Sequence, residues 1–168
     1  LNPDVQFKTR VIINLISELK KDDSLSMIAP KVLFPSGEHQ YSCRRYPRLF
    51  ELLARRFVFL EPLFQSKIFK GKYQDKDLSK SFYADYLAGC FHLYKTDDFI
   101  KINGFDERYF LYMEDVDICK KIDEINKKKL YYPKEEIIHV LKQGSLKDLK
   151  LFLRHSSSAF KYFLKWGF

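Results

Sequence analysis

Cysteine, glycine, proline, methionine and tryptophan are all scarce in these 168 residues, with three Cys, six Gly, six Pro, two Met and one Trp. Cys43, Cys90 and Cys119 are odd in number, far apart and never in a Cys-x-x-Cys pair. That excludes a disulfide framework and a zinc knuckle and suits a reducing, cytoplasmic setting. The few glycines and prolines are scattered, so neither a linker-like segment nor an internal repeat is present. Long apolar runs are missing too. The greasiest stretch, residues 57–64, is broken by Glu61 and Pro62 and flanked by Arg55, Arg56 and Lys67, which falls short of a membrane span. No signal-peptide pattern is visible in these residues.

What is abundant is aromatic and basic. Sixteen Phe and 11 Tyr raise the apolar share to 46%, well beyond a disordered chain, and the length suits one domain with a real core. Thirty Lys and Arg against 22 Asp and Glu leave a formal charge of +8, which favours an anionic partner: nucleic acid, a phospholipid surface or a sugar nucleotide. The chain opens without Met on Leu1-Asn2-Pro3-Asp4, an apolar residue running into a turn as a strand cut short would, and the expectation is a fragment.

Val11, Ile12, Leu15, Ile16 and Leu19 recur at helical spacing and end at Lys20-Lys21. Residues 26–34 form a short apolar segment holding Pro30, which predicts an edge or irregular strand. Residues 48–70 read as a helix interrupted at Pro62, and residues 71–80 as a polar, mobile loop. Residues 82–94 predict a strand pair or one bent strand, after which Thr96 caps a short helix ending near Gly104. A second helix runs from Glu114 through Val116, Cys119, Ile122 and Ile125, with Lys127-Lys128-Lys129 at its carboxyl end. Residues 130–133 and 137–140 predict two short strands. Residues 1–145 are taken as the main domain and residues 146–168 as a basic, aromatic amphipathic helix.

Gly104 to Asp117 places five carboxylates within a dozen residues beside an aromatic run. Acids so close repel one another unless something uses them, although Glu114, Asp115 and Asp117 would also serve as helix caps. Taken in order, Asn2-Pro3-Asp4, Asp85-Tyr86-Leu87-Ala88-Gly89, Gly104-Phe105-Asp106-Glu107, Glu114-Asp115-Val116-Asp117 and Ile138-His139 resemble family 2 glycosyltransferases of the GT-A type. Arg44-Arg45-Tyr46-Pro47 and residues 158–166 resemble the rhamnosyltransferase branch that builds bacterial surface polysaccharide.

That resemblance implies an α/β fold, the acceptor-side half of a GT-A domain with a mixed sheet and flanking helices. It also implies inverting transfer of rhamnose or a similar deoxyhexose from a nucleotide-sugar donor to a lipid-linked or saccharide acceptor. The first half of such a domain is absent, so the isolated chain is expected to be inactive. The Asp-x-Asp signature that holds the ion falls on Asn2, Pro3 and Asp4, where Asn2 departs from the pattern and only Asp4 supplies a carboxylate. His139 is implied as the second ligand of a divalent metal, Mg2+ or Mn2+, or else it is a strand-end histidine bonded to backbone. Asp115 is implied as the base, with Glu114 and Asp117 as fallbacks. Asp85, Gly89, Asp106 and Asp117 are implied substrate contacts, though Gly89 would also suit a tight bend and Asp106 a turn.

The segment 44–70 and the tail both interleave cations with aromatic and apolar residues, which suits the inner face of an anionic membrane, or simply a core-facing helix. A nucleic-acid binder is a competing reading, but no RNA-binding motif is visible and the acids would be unexplained, so no nucleic acid is expected. A non-catalytic remnant that docks on a partner is another.

Overall fold

A computed structural model describes residues 1–49, 61–140 and 149–167. Two strands organise it. β2 (Leu25–Leu33) and β7 (Lys128–His139) run parallel, and β7 also takes two short antiparallel strands on its other side, β1 (Val5–Gln6) at its end and β4 (Phe82–Tyr83) near its start. β6 (Leu93–Tyr94) flanks β2 antiparallel, which completes a mixed five-stranded sheet. β3 (Cys43–Arg44) and β5 (Tyr86–Leu87) form a separate antiparallel pair. The mixed sheet with flanking helices is the architecture expected from the sequence.

β2 is therefore internal, not an edge, and its residues 25–30 are all buried. Pro30 is tolerated because the ladder breaks beside it: Pro30 faces Tyr132, whereas Lys31 faces Glu136. Three extra residues of β7, including Pro133, bulge out at that step. The bulge also explains why residues 130–133 and 137–140 are not two strands but one. Because one step on β2 meets four on β7, the side-chain parity of β7 inverts across the bulge, so Tyr131 faces one side of the sheet and Ile137 the other.

On one face lies α1 (Thr9–Lys20), whose Val11, Leu15 and Leu19 pack against Leu25, Ile28, Val32 and Ile137. On the other lies α4 (Glu114–Glu124), whose Ile118, Cys119 and Ile122 meet Met27, Ala29 and the fully buried Tyr131. The helix ends at Glu124, earlier than the charge pattern predicts, and Lys128 and Lys129 open β7 instead. Lys129 is buried because its ammonium has three acceptors, the Asp123 carboxylate, the Cys119 carbonyl and the Tyr46 hydroxyl.

α2 (Glu61–Gly71) contains Pro62, and the rest of the helix expected from residue 48 falls largely on residues 50–60, outside the described residues. Residues 71–80 are anchored rather than loose. Tyr73 is 3% exposed, its ring stacks edge-on against Phe82, and its hydroxyl accepts from the Asp85 amide. α3 (Thr96–Lys101) begins after Lys95 with no side-chain cap, so Thr96 is its first turn and not its cap. Its chain then turns at Gly104, φ +51°, where an added Cβ would lie 3.0 Å from the Phe99 ring.

α5 (Leu149–Trp166) is the tail helix, with residues 146–148 outside the described residues. It buries Ala159, Tyr162 and Phe163 against Tyr109, Met113 and Val116 at the start of α4. Asp117, 0% exposed, locks the two helices by accepting from Lys165 Nζ at 2.8 Å and Trp166 Nε1 at 2.7 Å. Phe163→Ala should cost about 3–5 kcal/mol in urea unfolding, the range for an emptied aromatic site. A loss below about 1 kcal/mol would mean that α5 does not pack on α4 in solution.

Candidate functional site

The amino end of α4 is built on an unusual turn. Tyr112 and Met113, φ +66° and +68°, both sit in the left-handed region without being glycine. Such residues cost of order 1 kcal/mol each and are retained where the surroundings hold them, often at functional sites. This turn delivers Glu114 and Asp115 at the helix start, with no side chain capping the helix from outside.

Asp115 is fixed by two backbone amides. Its Oδ1 accepts from Val116 N–H at 2.9 Å and its Oδ2 from Gly89 N–H at 3.0 Å. Gly89 needs to be small: a Cβ there would stand 3.2 Å from the Asp115 Cβ. The glycine is thus a close approach between backbone and carboxylate. Burial raises the Asp115 pKa, opposed in part by the two amides and by Arg44. Glu114 is pushed up to about 7 by burial and then by the charge of Asp115, and its Oε2 has no hydrogen-bond partner among the described residues. Of these neighbouring carboxyls, Asp115 is pinned with its pKa raised, and Glu114, with a spare oxygen, is suited to holding a proton near neutral pH.

The second cluster is at the other end of the chain's path. β1 pairs with the end of β7, so Asp4 and His139 meet, with Asp4 Oδ1 3.4 Å from His139 Nε2. Gln40 sets the tautomer. Its Nε2 donates to the Leu33 and His139 carbonyls, which leaves its Oε1 to face His139 Nδ1 at 3.0 Å. Nδ1 then carries the hydrogen, and the Nε2 lone pair points toward the Asp4 carboxylate. Two lone-pair donors converging on one point, with the imidazole oriented by a third group, are what a divalent ion requires. No group of three or more His, Cys, Asp or Glu with metal spacing occurs among the described residues, so the remaining ligands of such an ion would be oxygens from a bound molecule. The two clusters communicate through Gly89-Cys90, since Asn2 N–H donates to the Cys90 carbonyl at 2.9 Å next to the amide that holds Asp115.

The other residues expected at the site are placed elsewhere. Asp85 sits against β3, accepting from the Tyr46 amide at 3.2 Å. Asp106 is a turn acid. It accepts from the Arg108 amide and guanidinium and from Lys165, and these partners hold its pKa well below the usual range. Asp117 faces α5, as described above. The sequence reading missed Gln40, which orients His139 from a polar turn with no periodicity to mark it, and Lys165 and Trp166, whose contact with Asp117 spans nearly 50 residues.

A family model described as the N-terminal domain of galactosyltransferase matches residues 75–142, the stretch that carries Asp85, Gly89, Asp115 and His139. Rhamnosyltransferase WbbL of Escherichia coli K12 is 28% identical over 164 residues, covering 96% of this chain and 59% of that protein. This chain is similar to rhamnosyltransferases. A further relative, the N-acetylglucosaminyl-diphospho-decaprenol L-rhamnosyltransferase of Mycobacterium tuberculosis strain H37Rv, is 29% identical over 139 residues, covering 82% of this chain and 45% of that protein. The chain spans about half the length of these curated relatives.

Glu114 makes a pH test possible. In the unfolded chain it loses its proton near 4.5, but in the fold only near about 7, so the folded state holds the extra proton between those values. Its contribution to stability therefore falls as pH rises through that window. Glu114→Gln should gain on the order of 1 kcal/mol over the parent at about pH 8 and nothing at about pH 4 in urea unfolding, the figure being discounted for partial exposure. An advantage that is equal at both pH values would remove the raised pKa.

Proposed function

We propose that this chain supplies the acceptor-activating and metal-holding residues of an inverting glycosyltransferase that moves rhamnose or a similar deoxyhexose. The donor is a nucleotide diphosphate sugar, and the acceptor a lipid-linked or saccharide hydroxyl in cell-surface polysaccharide synthesis. The observation that carries this reading is Asp115, a carboxylate locked by the Gly89 and Val116 amides in an environment that raises its pKa. The names of the relatives support the sugar class.

Asp115 takes the proton of the acceptor hydroxyl as that oxygen bonds to the anomeric carbon, and the bond from that carbon to the donor diphosphate breaks, the electron pair leaving with the diphosphate. Its lone pairs are held in place by the two amides, so little reorganisation accompanies the transfer. Glu114, next to it, favours a proton near neutral pH and keeps a second negative charge away from the base. Asp4 and His139 would hold a divalent ion, Mg2+ or Mn2+, which when bound stabilises charge on a leaving diphosphate. Gln40 keeps the His139 Nε2 lone pair free for that purpose.

Asp115→Asn is nearly isosteric but cannot accept the proton, so kcat should fall about 100-fold or more while donor binding is retained. Asp4→Asn should instead weaken metal-dependent donor binding. Steady-state transfer and donor titration in the complete gene product separate the two, and a near-parental rate for Asp115→Asn would end the assignment.

Peripheral contact with the inner face of an anionic membrane belongs to the same reading. No helix among the described residues is long and apolar enough to cross a membrane. α5, however, has three faces. One is buried, a second carries the exposed Leu149, Leu153, Phe160 and Leu164 within a sector of about 60°, and a third carries the exposed Arg154 and Lys161. An exposed apolar stripe edged by cations matches an acidic lipid surface. The Leu153→Ser, Phe160→Ser double variant should lose about tenfold in partition onto vesicles of phosphatidylglycerol and phosphatidylcholine in co-sedimentation. Unchanged partition, or equal binding to pure phosphatidylcholine, would sink this part.

A further inference from the structure

His92 belongs to neither cluster of the site, yet both of its ring nitrogens are committed. Its Nε2 lies 2.8 Å from the Leu87 carbonyl and its Nδ1 2.7 Å from the Tyr94 hydroxyl. A carbonyl only accepts, so Nε2 carries the hydrogen and donates it, which leaves the Nδ1 lone pair to accept from Tyr94. Only the neutral ring can do both. It is the form present near neutral pH, because burial pushes the His92 pKa down to about 4. Tyr94 stays a donor for a matching reason: burial, and after it the nearby Cys119 and Asp115, raise its phenol pKa.

The two bonds tie fixed structure to a loop. Tyr94 is in β6, where it pairs with Met27 of the internal strand β2, and its ring packs on Phe99 and Phe105. Leu87 ends β5, in the other sheet. Residues 88–91 between them belong to no helix or strand, yet both clusters depend on them. Gly89 N–H donates to Asp115 Oδ2 at 3.0 Å, and the Cys90 carbonyl accepts from Asn2 N–H at 2.9 Å.

His92 acts on this loop through one peptide unit. The carbonyl that it holds, that of Leu87, shares a planar peptide with the Ala88 N–H, and that N–H donates to the Ser42 carbonyl at 2.7 Å. Both poles of the unit are therefore fixed, and the next N–H along the chain is that of Gly89. Only the φ and ψ of Ala88 lie between them.

We infer that His92 is a positioning residue for Asp115: braced by Tyr94, it holds the Leu87–Ala88 peptide so that the Gly89 amide is aimed at the Asp115 carboxylate. Its consequence for sugar transfer rests on the reading of Asp115 as the base, whereas the positioning itself does not.

Hydrogen exchange at the Gly89 amide, followed by NMR, reads the positioning without turnover. In His92→Phe, which keeps a ring and removes both bonds, Gly89 exchange should quicken about tenfold or more while the amides of β2 and β7 keep their parental rates. His92→Gln retains a donor and an acceptor and should restore part of the protection. Tyr94→Phe, which removes only the bracing hydroxyl, should quicken Gly89 less than His92→Phe does. Tyr83→Phe, which removes a hydroxyl bonded to Asp22, should leave Gly89 unchanged. In the complete gene product, His92→Phe should lower kcat about tenfold with donor binding retained, and His92→Gln should regain part of it. An unchanged Gly89 rate in His92→Phe, a rise matched by β2 and β7, or a loss in His92→Gln as large as in His92→Phe would overturn the role. Should His92→Phe fail to fold, equal Gly89 rates in Tyr94→Phe and Tyr83→Phe would overturn it. If Gly89 exchange quickens as expected but kcat does not change, the positioning stands and the fault lies with the reading of Asp115 as the base.

Discussion

The parallel pairing of β2 with β7 is the constraint from which the rest follows. Neither strand is long enough alone to carry two layers, but together they present Met27, Ala29 and Tyr131 to α4 and Ile28, Val32 and Ile137 to α1. β7 also accepts β1 at its far end, so the position of His139 relative to Asp4 depends on the same strand that positions α4. A break in the register at Pro30 and Pro133 is therefore not a defect. It inverts the faces of β7 midway, so that Tyr131 supports α4 and Ile137 supports α1, and it leaves His139 buried at the strand end beside Asp4.

What could be read from the sequence was what depends on local spacing. α1, α4 and α5 announce themselves through apolar recurrence, because a helix buries one stripe whatever its neighbours are. Both long strands were harder to read, since each contains a proline and a proline within a strand normally marks an edge. Only the partner strand's bulge shows why an internal position is tolerated. Lys128 and Lys129 misled for a related reason: cations after a helix match its dipole, but burial of Lys129 depends on the Asp123, Cys119 and Tyr46 oxygens that no local pattern reveals.

At the site the division is similar. Asp115, Gly89, Asp4 and His139 were singled out as candidates through an ordered set of short motifs, and the geometry brings Asp115 to Gly89 and Asp4 to His139. The sequence could not show that Asp106 and Asp117, from the same acidic run, are turned toward Arg108, Lys165 and Trp166. Carboxylates that look alike in a string are sorted by which cations the fold brings to them. Asp106 and Asp117 accept from cationic side chains or the Trp166 indole, whereas the hydrogen bonds to Asp115 come from backbone amides and burial raises the pKa of both Asp115 and Glu114.

The bond between Asp117 and the last turn of α5 has one further meaning. Asp117 is two residues from Asp115, on the same first turn of α4, and its Lys165 and Trp166 partners lie at the far end of an 18-residue helix. Rotation of α4 about its axis, or lifting of α5 from its seat, would break those bonds. The tail is therefore a brace as well as a surface. Together with the apolar contacts of Tyr162 and Phe163, this buried carboxylate ties the last turn of α5 to the first turn of α4, beside Asp115.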